Sequence, residues 1–387
     1  MSGAPAYRLV LEGETSRFDA VLRRAIVDAL EPFGLKLGDE VAVHFASEAH
    51  AAIVPGEAKV VLFFGSPAVR ATVKLLVSPT DLLIPVVSDL SACGSELPPE
   101  VSAFNALQYE GASEAQAAAL ASAILETLGL MPAKRRIFLS YRRDEAREVA
   151  LQLHDALRAR QFSVFLDTHE IRYGGRFQDA LWHQLSDCDV LLMLDTMGYF
   201  LSRWTEEEFG RAGNMRLGIL RVGFPGVSPA PATTLTTTVA LSEVDLGSNG
   251  RLGDDAIDRI GDALERFRAR SVAARLDNML GTLRLAVEKR GGTITNPGPL
   301  KRVSINFPRP RLGGIAELTV YPAVGVPTSD AVERIAKDAD SECALLYDGQ
   351  SLLQSWIDHL EWFAGGIERF RWIRADNPEP MLKELEQ

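Results

Sequence analysis

An aromatic residue and a carboxylate stand four residues apart in a stretch whose pattern predicts a helix. Trp204 and Glu208 would share one helix face, so that an indole ring lies beside the carboxylate. A well-placed carboxylate stabilises an oxocarbenium-like transition state such as that of glycoside cleavage. The spacing fits a structural interpretation equally well, in which residues 206–208 form a solvated acidic first turn and Trp204 packs at the helix entry. The spacing alone does not distinguish the catalytic interpretation from the structural one.

A second group of candidates follows the predicted strand Ile137–Ser140. Tyr141, Arg142 and Arg143 come after its carboxyl end, the edge where open α/β sheets bind ligands. Paired arginine hydrogen bonds are suited to a pyrophosphate, although each arginine fits a surface cation as well. Further along the chain, Phe177 fits either a ring in the site or a core residue that anchors a loop.

The segment 167–176 reads as a loop with a glycine pair, Gly174 and Gly175. Glycine adopts positive φ without steric cost. We therefore predict a loop that closes on a substrate or contacts a neighbouring molecule.

Other known chemistry has little support in the sequence. It contains no P-loop, no GxSxG elbow, no HExxH and no glycine-rich dinucleotide fingerprint. The six histidines show no ligand spacing, and three scattered cysteines build neither a disulfide framework nor a CxxC cluster. We expect no bound metal and no cofactor.

Composition narrows the class of protein. The chain has 387 residues, 47% of them hydrophobic and 24% charged, as in a globular protein with an ample core. Its net charge of −11 argues against a broad nucleic-acid-binding face. No apolar run approaches the ~18 residues needed to cross a bilayer, and the first residues lack the features of a signal peptide. We expect a cytoplasmic protein.

Alternating strand and helix patterns predict an α/β fold with three consecutive α/β units. The first, residues 1–131, is interpreted as a non-catalytic α/β domain. Its outline fits a degenerate copy of the second unit, and a chance similarity between buried strands fits it as well. The second covers residues 134–270. The third, residues 271–387, begins with a helix and is expected to have a sensor, regulatory or assembly role.

Five pieces of the second segment, in order, resemble Toll/interleukin-1 receptor (TIR) domains. They are a first strand with its flank, the next strand, a BB-like loop, the helix and strand after it, and a Ser-x-Trp-x-x-x-Glu signature: residues 137–144, 162–167, 170–174, 180–194 and 202–209. The segment departs from the family at Asp195-Thr196, where Ser-Pro is usual, and at Thr205, after the signature tryptophan.

The resemblance implies a flavodoxin-like fold and one of two functions. Some TIR domains are non-enzymatic adaptors that assemble partners, and others, including bacterial defence proteins, cleave NAD+ at the nicotinamide–ribose bond. In the enzymatic branch the signature glutamate is catalytic, here Glu208. Binding roles would fall on the other site candidates, namely Tyr141, Arg142, Arg143, Ile171, Gly174, Phe177 and Trp204.

The resemblance further implies that assembly controls activity. TIR sites in the enzymatic branch are typically completed by a neighbour's BB loop, here residues 167–176. We therefore predict self-association through the TIR domain in an antiphage-type effector, with NAD+ as substrate and an unidentified trigger or partner protein. A monomer whose loop covers its own pocket is the alternative.

Overall fold

In the part of the chain that the structure describes, the strands form three five-stranded sheets, each with helices packed against it. The computed structural model describes residues 6–45, 58–72, 82–166, 177–247, 250–295, 297–298, 301–308, 314–338, 341–350 and 352–385. The chain divides into two compact units, residues 1–133 with 298–300 and residues 134–297 with 301–387. The predicted α/β class is confirmed. Within the described ranges, we find no helix whose length and apolar character would let it span a membrane.

The first unit holds a parallel sheet with the order β2-β1-β3-β4-β5. Its elements are β1 (Tyr7–Gly13), α1 (Ala20–Leu30), β2 (Val41–Phe45), β3 (Ala58–Phe64), α2 (Pro67–Thr72), β4 (Leu83–Val87), α3 (Cys93–Glu96), β5 (Leu107–Gln108) and α4 (Glu114–Thr127). Residues 60–64 of β3 are fully buried, which explains why the strand is a continuous apolar run.

The second unit begins with another parallel sheet, in the order β10-β9-β8-β6-β7. Its elements are β6 (Arg136–Tyr141), α5 (Arg143–Ala159), β7 (Ser163–Leu166), α6 (Phe177–Asp187), β8 (Val190–Asp195), α7 (Arg203–Asn214), β9 (Gly218–Gly223), β10 (Thr237–Ala240) and α8 (Asp254–Lys289). Numbered within each sheet, the first two sheets share the flavodoxin-like order 2-1-3-4-5.

Helix α8 is one continuous element of 36 residues, where the sequence predicts two helices, 254–268 and 272–289. The intervening Ala269-Arg270-Ser271 contains neither Gly nor Pro, so nothing there interrupts the helical hydrogen bonds. The predicted border between residues 270 and 271 falls inside this helix. A three-domain division stays a prediction.

The third sheet, also in the second unit, is mixed. Its elements are β11 (Thr293–Ile294), β12 (Val303–Pro308), β13 (Ile315–Ala323), α9 (Ser329–Asp338), β14 (Cys343–Tyr347), α10 (Gln354–Ala364), β15 (Phe370–Arg374) and α11 (Glu379–Leu385). Strands β11, β12 and β13 pair antiparallel, and β13, β14 and β15 pair parallel. Buried Val303, Ile305 and Phe307 alternate with more exposed residues, the pattern of a strand with one covered face.

The segment after β10 is bound to α8 through hydrogen bonds and an ion pair of Asp245. Asp245 accepts hydrogen bonds from the backbone N–H and the hydroxyl of Ser242, at 2.8 and 2.7 Å, and from Arg259 of α8 at 2.8 Å. The Ser242 N–H first, then Arg259, lowers the pKa of Asp245 to about 2. These contacts stabilise the carboxylate form in the folded state.

We expect the stability that Asp245 contributes to depend on pH in a defined window. Because folding lowers its pKa, the contribution is complete above the unfolded pKa of ~4 and disappears as pH falls toward 2. Asp245→Asn should therefore lower the urea midpoint at pH 7 and approach the wild type near pH 2.5. A midpoint difference that stays constant over this range would contradict the assignment.

Candidate functional site

The central sheet reverses its strand order beside β6. From β6 the chain goes first to β7 on one side and then to β8 on the other. In open α/β sheets, ligands bind outside the carboxyl ends of the strands at such a switch point. The carboxyl end of β6 contributes Ser140 and Tyr141, and the segment after β8 contributes Thr196 and Tyr199.

Glu208 is placed at this switch point by the second turn of α7. The residue is 2% exposed, and one buried hydroxyl group contacts its carboxylate directly while a second contacts the first. The Ser140 hydroxyl donates to Glu208 Oε2, and Ser140 Oγ lies 2.6 Å from the Tyr199 hydroxyl. Because Ser140 has one proton, a relay from Tyr199 through Ser140 to the carboxylate satisfies all three groups.

The hydroxyl relay keeps its protons at ordinary pH. Burial first, and then the charge of Glu208, raises the pKa of Tyr199 well above its usual value. Tyr199 therefore remains a neutral hydrogen-bond donor. The site offers a carboxylate in a water-poor environment, where its field acts on a nearby positive charge more strongly than in water.

Thr205, one of the two departures from the family pattern, has a structural role. The residue is 3% exposed, and its hydroxyl donates toward the carbonyl oxygens of Tyr199 and, at 3.0 Å, Ser202. It thereby ties the start of α7 to the segment that carries Tyr199. This tie fixes the tyrosine relative to Glu208.

Asp195, the other departure, forms a buried ion pair. Its carboxylate accepts from Arg221 Nε at 2.5 Å, and both side chains are below 5% exposed. Arg221 also donates to the carbonyl oxygen of Val227 at 3.4 Å. This ion pair joins the carboxyl ends of β8 and β9. The sequence does not predict the pair, because its two residues are 26 positions apart along the chain.

The predicted binding residues after β6 are only partly brought to Glu208. Successive side chains of β6 point to opposite faces of the sheet. Tyr141 packs in the core between the sheet and helices α5 and α8. Ser140 lies on the other face, with Phe138 and helices α6 and α7. Tyr141 and Glu208 therefore lie on opposite faces of the sheet.

The two arginines after Tyr141 differ in environment. Arg142 donates to Glu145 Oε1 at 2.6 Å, and Glu145 Oε2 accepts from the Gly198 N–H at 2.9 Å. A Cβ at position 198 would meet Arg142 Nη1, the far end of a flexible side chain, so a larger residue there would displace the guanidinium. Arg143 begins α5 and is exposed.

Four predicted site residues lie at least partly outside the described structure. Ile171 and Gly174 belong to residues 167–176, which lie outside it entirely. Phe177 and Trp204 lie in α6 and α7, and their side chains are outside it. Trp204 and Glu208 do share one helix, as predicted.

At the corresponding edge of the first sheet, the segments that follow β1 and β3 contact each other. The Glu14 N–H donates to the Phe64 carbonyl oxygen at 2.8 Å, and Arg17 donates to the Gly65 carbonyl and pairs with Glu96 at 3.7 Å. Gly13 has φ +83°, and a Cβ there would lie 2.2 Å from the Phe64 oxygen. These contacts hold the ends of β1 and β3 together. A non-catalytic role for the first unit stays a prediction.

No group of three or more His, Cys, Asp or Glu side chains is arranged to hold a metal ion in the part of the chain that the structure describes.

Comparison with known proteins identifies the central segment. A family model described as the TIR domain matches residues 137–265, inside the predicted range 134–270. The search of curated proteins finds no match.

Two solved structures are similar to parts of the chain. The TIR domains of the activated Roq1 resistosome directly recognizing the pathogen effector XopQ are 18% identical over 36% of this chain and 84% of that one, with a TM-score of 0.23. A structure from Clostridium novyi NT, described as a tagatose-6-phosphate ketose/aldose isomerase, is 10% identical over 70% of this chain and 80% of that one, with a TM-score of 0.18. At these TM-scores the two structures support no conclusion about this chain. The assignment of residues 137–265 to the TIR domain rests on the family model alone.

Proposed function

We propose that this chain, whose residues 137–265 are a TIR domain, cleaves NAD+ between nicotinamide and ribose in a cytoplasmic defence response. The single observation that supports this most is the placement of Glu208. Its carboxylate is buried at the switch point of the sheet and held by the Ser140 hydroxyl. A solvated acidic first turn, the competing interpretation of residues 206–208, would leave this carboxylate exposed.

Cleavage of the nicotinamide–ribose bond requires stabilisation of a developing positive charge more than it requires proton transfer. As the bond between C1′ and the pyridinium nitrogen breaks, its electron pair neutralises nicotinamide, which leaves without an acid. Positive charge develops on C1′ and the ring oxygen, and an adjacent carboxylate stabilises it. Water then attacks C1′ and loses a proton to give ADP-ribose, or the adenine ring attacks to give a cyclised product.

In this proposal Glu208 is the catalytic residue, and Ser140 and Tyr199 position it. Trp204 would border the base, since it lies one helical turn away on α7. Arg142 would bind the pyrophosphate only after exchanging its contact with Glu145.

The alternative function is a TIR scaffold that assembles partners without chemistry. Chromatographic measurement of nicotinamide released by concentrated protein separates the two. Release that is lost in Glu208→Ala supports the enzyme. No release under any triggering condition, from a protein that still assembles, supports the scaffold.

We expect specific activity to rise with protein concentration. If a neighbour's BB loop completes the site, the fraction of complete sites grows with assembly, and a head-to-tail contact of this kind extends without closing. Nicotinamide release per milligram should be measured across a hundredfold range alongside sedimentation. Constant specific activity from a species that remains monomeric would rule out a shared site.

A further inference from the structure

Strand β15 forms an open edge of the third sheet. It pairs with β14 on one side, and no other described strand pairs with it. An unpaired edge presents a row of backbone donors and acceptors to another chain.

The backbone pattern shows which groups face outward. The Cys343 N–H donates to the Arg369 oxygen, and the Ala375 N–H donates to the Tyr347 oxygen. Odd-numbered residues of β15 therefore bond to β14, so that Phe370, Trp372 and Arg374 direct their backbone groups to the open edge.

A groove of about 320 Å³ follows this edge between two helices. Helix α10 contributes Glu361, α11 contributes Met381 and Glu384, and β15 contributes Arg371 and Trp372. The Trp372 Nε1 atom is buried, and none of the described residues offers it a hydrogen-bond acceptor. A strand edge, an apolar floor and an unpaired donor together favour an occupant with a backbone of its own.

We propose that this groove receives β15 of a second copy of the chain, antiparallel across a two-fold axis, which joins the two third sheets into one sheet of ten strands. This interface is separate from the TIR contact and does not depend on the proposed catalysis. An isologous contact of this kind pairs each patch with itself.

The hydrogen-bond pattern is self-complementary about Trp372. Placing Trp372 opposite its own copy sets Phe370 opposite the partner's Arg374. Internal bonds already occupy the Phe370 N–H, through Ile367, and the Arg374 oxygen, through Asn377. In the dimer, the Phe370 N–H of each copy would face the Arg374 oxygen of the other. Because both groups are already bonded within their own chain, this one intermolecular bond does not form on either side of the axis. The remaining outward groups form four intermolecular bonds.

Charge complementarity selects a second copy over an unrelated peptide. Arg371 lies on the α11 side of the sheet, and a two-fold axis normal to the sheet keeps its copy on that side, next to Glu384. Arg374 already pairs with Asp376 of its own chain at 2.7 Å, so the charge argument rests on Arg371 and Glu384. Among the described residues neither Arg371 nor Glu384 has an ion pair within its own chain. Both charges are thus available to a partner.

Charge reversal in the full-length chain tests the interface, with sedimentation in the absence of NAD+ as readout. We expect wild type to form a dimer of about twice 42.3 kDa. Arg371→Glu alone, and Glu384→Arg alone, should each weaken it about tenfold or more through like-charge contacts. Mixing the two variants should restore association, because each contact then joins opposite charges between chains.

The control is Arg334→Glu on α9, an exposed site with the same charge change, which should associate like wild type. Wild type that remains monomeric over a hundredfold range of concentration would overturn the proposal. So would single variants that associate as wild type does, or a mixture that fails to associate. Binding of an unrelated extended peptide by a monomeric wild type would assign the groove to another partner and also overturn it.

Discussion

Glu208→Gln is expected to lower nicotinamide release by about a hundredfold or more, because the amide removes the charge that stabilises the ribosyl cation. The amide has the shape of the carboxylate and can still accept from the Ser140 hydroxyl. The variant should therefore fold, and its loss of activity would report chemistry. Release of nicotinamide under matched conditions of assembly measures the effect.

Glu206→Gln is the matched control for this variant. Glu206 lies on the same helix with the same side chain, but it is exposed, whereas Glu208 is buried. Its substitution should leave nicotinamide release within a factor of about two, as expected for a surface charge. Equal losses in both variants would show that the acidic turn as a whole is needed, and equal activity in both would remove Glu208 from the mechanism.

Arg268→Met is expected to destabilise the second compact unit by about 3–5 kcal/mol, because it leaves a buried carboxylate without its partner. Arg268 is 0% exposed and donates to Asp189 Oδ2 at 2.5 Å. Burial raises the pKa of Asp189, and the positive charge of Arg268 opposes that rise. This ion pair joins α8 to the start of β8.

Tryptophan fluorescence during urea unfolding reports this unit selectively, since all five tryptophans belong to it: Trp182, Trp204, Trp356, Trp362 and Trp372. Arg270→Met is the control, because Arg270 is exposed on the same helix. A midpoint shift for Arg268→Met no larger than that of the control would show that the ion pair contributes nothing to stability.

Much of the candidate site was predictable from local pattern. The shared helix of Trp204 and Glu208 follows from a spacing of four, and the strand before Tyr141 follows from its apolar run. The roles of Ser140 and Tyr199 were not predicted, because they depend on contacts 68 and 59 residues apart along the chain. Alternation along β6 could have separated Ser140 from Tyr141, since neighbouring strand residues face opposite sides.

In the fold too, elements with a local sequence pattern were predictable, and features that depend on distant contacts were not. Buried parallel strands carry a strong signal as continuous apolar runs, and amphipathic helices carry one through their period. In contrast, β10 begins in a Pro- and Thr-rich stretch, residues 226–238, that predicts a loop. Its residues Thr237–Ala240 become a strand by pairing with β9, and that pairing leaves no periodic mark in so short a segment. Along α8, Arg268, Ser271 and Arg275 bind residues just before β8, and no local pattern reveals contacts at this distance along the chain.

The central claim is that Glu208 promotes cleavage of the nicotinamide–ribose bond, and product analysis tests it most directly. Concentrated wild-type protein incubated with NAD+ should release one nicotinamide for each ADP-ribose or cyclised ADP-ribose formed, and Glu208→Gln should form neither at a comparable rate. Nicotinamide mononucleotide and AMP as products would place the cleavage at the pyrophosphate. That result, or equal nicotinamide release by both proteins, would contradict the account.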